Sequence, residues 1–269
     1  MDLSSAGDLS RASDRSALIQ SLRSALPSLD GSAAGGPALA FQLQDLDERL
    51  LHRGLAAGAL HEIAPVRAES MPAALGFAAA CLARGARRSP SLLIFPAGYV
   101  RAFGGPYAHG LHGLGLDPGS LVVFRAESHK AALWAAEEAL RSRSLAFVLA
   151  VLTGGLDLKA SRRLHLAASS SETFLMVLTP AHVEPAGAAL SRWRIGPAPS
   201  ERDRFGAFAR FRWGVTLERS RNGRTGSWIL EWDHVAYRFR LAGTLADHAP
   251  PPGPGPGPSL GGPGLRRAG

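Results

Sequence analysis

Two spacings of apolar residues alternate along the first 180 positions. Continuous apolar runs at residues 91–95 (SLLIF), 120–124 (SLVVF), 145–152 (LAFVLAVL) and 173–178 read as strands buried on both faces. Residues 58–63 form a shorter run, with Leu60 and Ile63 as its best strand formers. Between these runs the apolar positions recur at helical spacing. Leu75, Ala78, Ala79 and Leu82 mark one helix, with Ser70 as its cap and Gly85 as its left-handed stop. Leu133, Ala136 and Leu140 mark a second helix, capped by Ser128, and residues 156–170 hold a third. Strand and helix in alternation predict right-handed βαβ units and an α/β fold with a doubly wound, largely parallel sheet.

After Pro180 the pattern changes. Residues 192–195, 211–219, 227–233 and 236–241 read as strands of an antiparallel C-terminal extension, with Asn222-Gly223 as a hairpin turn. At the other end, Leu18, Ile19, Leu22 and Leu26 form the apolar stripe of one helix, followed by a flexible break at 31–37. Residues 38–53 carry Leu46, Leu50 and Leu51 at helical spacing. The expected organisation is an N-terminal helical segment (1–52), a core (53–242) and a Pro/Gly-rich, disordered tail (243–269).

The strand at 58–63, the loop after it and the helix after that have the layout of a phosphate-binding loop. Eight residues fill the place of GxxxxGK[ST]: Ala64, Pro65, Val66, Arg67, Ala68, Glu69, Ser70 and Met71. Ala64 stands at the first Gly. Glu69 replaces the second and brings a Cβ and a negative charge where backbone N–H groups would wrap a phosphate. Ser70 cannot neutralise phosphates as Lys does, and the Met71 thioether is a poor ligand for Mg²⁺. Two further positions are empty. A water-activating glutamate is expected after the second strand, where Pro96, Ala97 and Gly98 stand. A carboxylate for Mg²⁺ is expected at the end of 145–152, where the slot holds Val151 or Leu152. Asp157, five residues on, reads as a turn or cap residue. Nucleotide hydrolysis is therefore not expected, and no cofactor is.

Composition narrows the picture further. The net charge of +8 is carried almost wholly by arginine, since Lys130 and Lys159 are the only lysines and neither precedes Ser or Thr. The single cysteine, Cys81, excludes an intramolecular disulfide and reads as a buried hydrophobe. No apolar run approaches the length of a membrane span, and the first residues lack a secretory pattern, so the expected location is cytoplasmic. His109 and His112 have ligand spacing on a helix but no carboxylate or cysteine nearby, and read as a polar loop face. Glu137 and Glu138, with Trp134, read as a solvated or partner-facing pair. From Arg192 to Arg224 nine arginines face Glu201, Asp203 and Glu218, interleaved with Trp193, Phe205, Phe208, Phe211 and Trp213. Arg192, Arg194, Arg219, Arg221 and Arg224 are thus candidates for contact with DNA or a partner protein, set against a solvated hairpin with buried aromatics.

Several segments together resemble the ImuA family of RecA-like proteins in bacterial SOS mutagenesis. They are residues 58–69 followed by LGFAAACLARG, the strand SLLIF, YAHGLHGLGLDP, ALWAAEEALRSRSLAFVLAVL, LDLKASRRLHLAA, SRWRIGPAPS and RNGRTGSWILEWDHVAYRF. The resemblance spans about residues 50–241. It implies a RecA-type core in which residues 64–71 fill the phosphate loop, Gly98 the catalytic glutamate's position and Val151 the magnesium aspartate's. It also implies a non-enzymatic adaptor in translesion synthesis, nucleoid-associated during DNA damage. Its partners would be an ImuB-like protein, RecA and an error-prone C-family DNA polymerase. A SulA-like division inhibitor and a DNA-dependent ATPase with an atypical loop are the alternatives.

Overall fold

The computed structural model describes residues 37–86, 89–200 and 210–242. The N-terminal stripe at 18–26 and the Pro/Gly tail lie outside them. One nine-stranded sheet organises the chain, in the order β11-β10-β9-β8-β3-β7-β6-β4-β5. Its parallel part comprises β3 (Leu60–Pro65), β4 (Ser91–Pro96), β5 (Leu121–Ala126), β6 (Phe147–Val151), β7 (Phe174–Leu178) and β8 (Ser191–Pro197). Antiparallel pairing then adds β9 (Arg212–Ser220), β10 (Gly226–Asp233) and β11 (Arg238–Leu241). The α/β fold with a largely parallel sheet and an antiparallel extension is therefore observed.

Side chains alternate across the sheet, so each strand feeds two cores. On one face Ile63, Phe95, Leu149, Leu178 and Trp193 pack under α2 (Met71–Ala86). On the other, Leu60, Ile94, Val148 and Val177 pack under α5 (His129–Arg141) and α6 (Leu158–Ser171). Serine and aspartate caps set the starts of these last two helices. The Ser128 hydroxyl accepts from the Ala131 N–H at 3.1 Å, and Asp157 accepts from Ala160 at 2.6 Å. Cys81 is fully buried in α2, and burial pushes its thiol pKa up, so it packs as a hydrophobe.

Three local expectations are corrected. Residues 38–53 do not form one helix. They form β1 (Ala38–Leu39), paired with β2 (Leu55–Ala56), and a single turn of helix, α1 (Gln44–Asp47). The Asp47 carboxylate accepts from the Phe41 and Leu43 N–H groups at 2.8 and 3.0 Å, which holds a turn there. Phe41, Leu46 and Leu50 still reach the core, from a turn rather than from a helix face. Gly85 does not stop α2, which runs through it to Ala86; Gly85 stays helical, and a Cβ there would meet Leu39 at 3.1 Å. Ser70 belongs to a 3-10 turn, Ala68–Ser70, that leads into α2. Between β4 and β5 lie two short helices, α3 (Ala97–Phe103) and α4 (Ala108–Gly113). Among the described residues no helix is long and apolar enough to cross a membrane.

Candidate functional site: an emptied phosphate end and a clamped crossover

The carboxyl ends of the parallel strands converge where an α/β sheet ordinarily receives a ligand. A cavity of about 290 Å³ lies there, lined by Ala68 and Met71 from the loop, Gly98 from α3 and Val151 from β6. Residues from three separate segments therefore meet at one place. No carboxylate, lysine or arginine lines this cavity among the described residues; Thr153 and His182 are its most polar members.

The loop is also shorter than the sequence suggests. Ala64 and Pro65 are strand residues, registered opposite Arg194 and Ile195 of β8. The Val66 N–H donates to the Ile195 carbonyl at 2.9 Å, and the Ser70 N–H donates to the Arg67 carbonyl at 3.0 Å. Pro65 has no N–H to offer. The Val66 and Ser70 donors are thus committed elsewhere. Arg67 lies 3.4 Å from Glu69, both highly exposed. Such a pair adds little stability, but it leaves the loop without net charge.

The five arginines singled out from the sequence do not form one surface. Arg192 is buried and donates to Glu62 Oε1 at 2.6 Å, to Glu218 Oε2 at 2.9 Å and to the Val183 carbonyl at 2.8 Å. Arg194 donates to Glu218 Oε1 at 2.7 Å and to the Ala181 carbonyl at 2.7 Å. Arg219 reaches the carbonyls of Ala186, Gly187 and Ala189 at 2.9, 3.2 and 3.2 Å. Fully buried Glu62 accepts from the Ala186 N–H at 2.8 Å and from the Thr179 hydroxyl at 3.1 Å. Residues 179–190, which carry the chain from β7 over β3 to β8, contain no helix or strand. Their peptide groups need partners, and the arginines with Glu62 supply them. Burial raises the Glu218 pKa, but hydrogen bonds from Arg194 and Arg192 outweigh it and hold the carboxyl below its ordinary value.

The hairpin tip is tied down too. Arg224 donates to the Glu48 carbonyl at 2.6 Å, Asn222 to the Arg49 carbonyl at 3.1 Å, and Trp228 to Asp45 at 2.8 Å. Arg221 lines a small pocket with Arg162 and His165. Of these candidates for contact with DNA or a partner, Arg192 is buried, and Arg194, Arg219 and Arg224 are engaged in holding the fold. Trp193 and Trp213 are buried in the core, whereas Phe211 is exposed. Arg202, Arg204, Phe205 and Phe208 lie outside the described residues. Sequence reasoning missed the clamp. Its signal was Pro180, Pro185 and Gly187 in a crossover that no helix pattern covers, followed by Arg192 and Arg194 on one face of a strand.

These features define an α/β protein with a largely parallel sheet and an antiparallel extension, whose cavity at the carboxyl ends of the parallel strands is lined, among the described residues, by no lysine, arginine or carboxylate. No family model matches the chain. Protein ImuA of Caulobacter vibrioides strain NA1000 / CB15N is 34% identical over 238 residues, covering 81% of this chain and 94% of that protein. Protein ImuA of strain ATCC 19089 / CIP 103742 / CB 15 matches over the same extent with the same identity. The chain belongs to the ImuA family.

Proposed function

We propose that this protein is a non-catalytic adaptor in SOS-induced, error-prone translesion DNA synthesis. In this reading it brings together an ImuB-like polymerase-family protein, RecA and an error-prone C-family DNA polymerase at damaged DNA. Family membership supports the pathway. The observation that carries the adaptor role is the emptied phosphate end, where Ala68, Met71, Gly98 and Val151 surround a cavity without charged lining. The strand order and the helices on both sheet faces support a RecA-like core that has kept its architecture without its nucleotide chemistry. Arg192, Arg194, Arg219 and Arg224 are engaged within the fold, so the reading does not rest on a DNA-binding hairpin.

The role is tested by deleting the gene and measuring damage-induced mutation in a strain with the partner genes intact. Mutation frequency after ultraviolet exposure is expected to fall to the uninduced level; an unchanged frequency would count against the adaptor. The loss of chemistry is tested separately. Millimolar Mg-ATP is expected to change the melting temperature by less than about 1 °C, because a ligand stabilises a fold only by binding it. A larger rise, or ATP turnover lost in Arg67→Ala or Glu69→Ala, would move the ATPase alternative forward.

A further inference from the structure

A second cavity, larger than the one lined by Ala68, Met71, Gly98 and Val151, lies beside it. It is an apolar groove of about 480 Å³ between α2, α3, α4 and the start of β9. Leu75 of α2, Phe95 of β4, Leu111 of α4, Leu114 just after it and Trp213 of β9 form its walls. The groove exists because the elements around it present small residues: Ala73, Gly76 and Ala79 on α2, and a Gly104-Gly105-Pro106 link between α3 and α4. No side chain there is large enough to fill the space over β4 and β6.

Three observations bear on what fits. First, the rim is aromatic and open: Phe103 is 47% exposed, Tyr107 69% and Phe211 61%. Exposed aromatics around an apolar slot mark protein contact surfaces, where such rings anchor a partner. Second, the groove lacks the convergent polar groups that orient a small molecule. Its polar members are Tyr99, Tyr107 and Arg212, and Arg212 is held by Glu231 at 2.6 Å. Third, the run from Ser70 to Leu116, which supplies most of the walls, carries no aspartate or glutamate, while Arg101, His109 and His112 are exposed on α3 and α4; Glu231 of β10 is already paired with Arg212.

We infer that this groove binds a short amphipathic helix of a partner protein, with large apolar anchors on one face and carboxylates flanking them. The apolar anchors cover Leu75, Phe95 and Leu111, and the carboxylates face Arg101 and the two histidines. The surface stands on its own geometry and does not depend on the mutagenesis pathway, so it can fail or hold without deciding that reading.

The test uses the purified full chain and a fluorescein-labelled peptide of roughly sixteen residues, long enough for about four helical turns. Leucines at helical spacing form one face and glutamates fill the other; a control carries lysines in place of the glutamates. Fluorescence anisotropy is expected to show saturable binding of the glutamate peptide, and binding at least about tenfold weaker for the lysine peptide. Tyr107→Glu and Phe211→Glu change exposed side chains that the core does not use. Each is expected to weaken the glutamate peptide by about tenfold or more with an unchanged circular dichroism spectrum. Absent binding, equal binding of the lysine peptide, or indifference to both variants would overturn the proposal. So would a rise of about tenfold in affinity on Leu18→Asp/Leu22→Asp, which would make the chain's own N-terminal stripe the occupant. A dimer in sedimentation that Tyr107→Glu dissolves would assign the groove to a second copy instead, and would overturn it as well.

Discussion

Arg192→Met is expected to destabilise the protein by about 3–5 kcal/mol, the usual cost of breaking a buried ion pair from one side. For a folded region of this size that corresponds to a fall in melting temperature of about 6–20 °C. The reason is what the guanidinium leaves behind. Glu62 is fully buried and would be left beside Thr179 and the Ala186 N–H with no cation opposite. The Val183 carbonyl would lose its donor and Glu218 one of its two arginines. Replacing the pair together, Glu62→Leu/Arg192→Met, removes the stranded carboxyl. It still leaves the Ala186 N–H and the Val183 carbonyl without these partners. The double variant is therefore expected to lose less than the sum of the singles without returning to the parent. Chemical denaturation of the four proteins gives the comparison. A single variant within about 1 kcal/mol of the parent would mean that the crossover is not held by this pair.

Stability is also expected to fall as the pH is lowered from about 6.5 to about 4. His61 is fully buried, and burial pushes its pKa down from 6.5 to about 4; nearby His165 and His52 add to the fall. Its hydrogen bonds select the neutral ring. Nε2 lies 3.0 Å from the Ala56 carbonyl, which can only accept, so Nε2 carries the proton. Nδ1 then accepts from the Ser191 hydroxyl at 2.7 Å, and that hydroxyl accepts from the Trp193 indole N–H at 2.8 Å. Protonating Nδ1 would make the Ser191 hydroxyl turn its hydrogen away from the ring. Above pH 6.5 both states hold a neutral ring, and the contribution is constant. Between 6.5 and 4 the unfolded chain binds the proton and the folded one does not, so stability drops with falling pH. Below 4 the loss is complete, at about 3 kcal/mol. His61→Gln lowers the starting stability and removes this slope. Denaturation curves taken at intervals from pH 7 to 4 test it: an equal slope in the variant would show that other groups carry the acid sensitivity.

The strand–helix alternation was legible because its signals are local. SLLIF and LAFVLAVL are buried on both faces and read as continuous apolar runs. Ser128 and Asp157 cap the helices they precede, and the Asn222-Gly223 turn falls between β9 and β10 with Gly223 at φ 77°. Residues 38–53 misled because Leu46 and Leu50 have helical spacing, while the Asp47 carboxylate captures two backbone donors and bends the chain. The arginines misled for a different reason. Charge on a strand suggests a surface, yet Arg192 points into a crossover whose path depends on pairing between β3 and β8, set by residues 130 positions apart. The apolar groove left no trace in any single stretch, since it arises where small residues of α2 lie near α4 on the same face of the sheet.

β8 pairs in parallel with β3 on one side and antiparallel with β9 on the other, so no gap divides the two parts of the sheet. Nine strands joined edge to edge make a stiff plate roughly 38 Å wide. A plate of that kind works as a ruler. Under the proposed adaptor role, proteins seated at its two borders would be kept at a set separation and a set relative tilt, with no need for movement within this chain to relay the seating of one to the other. Geometry held constant would then itself be the contribution.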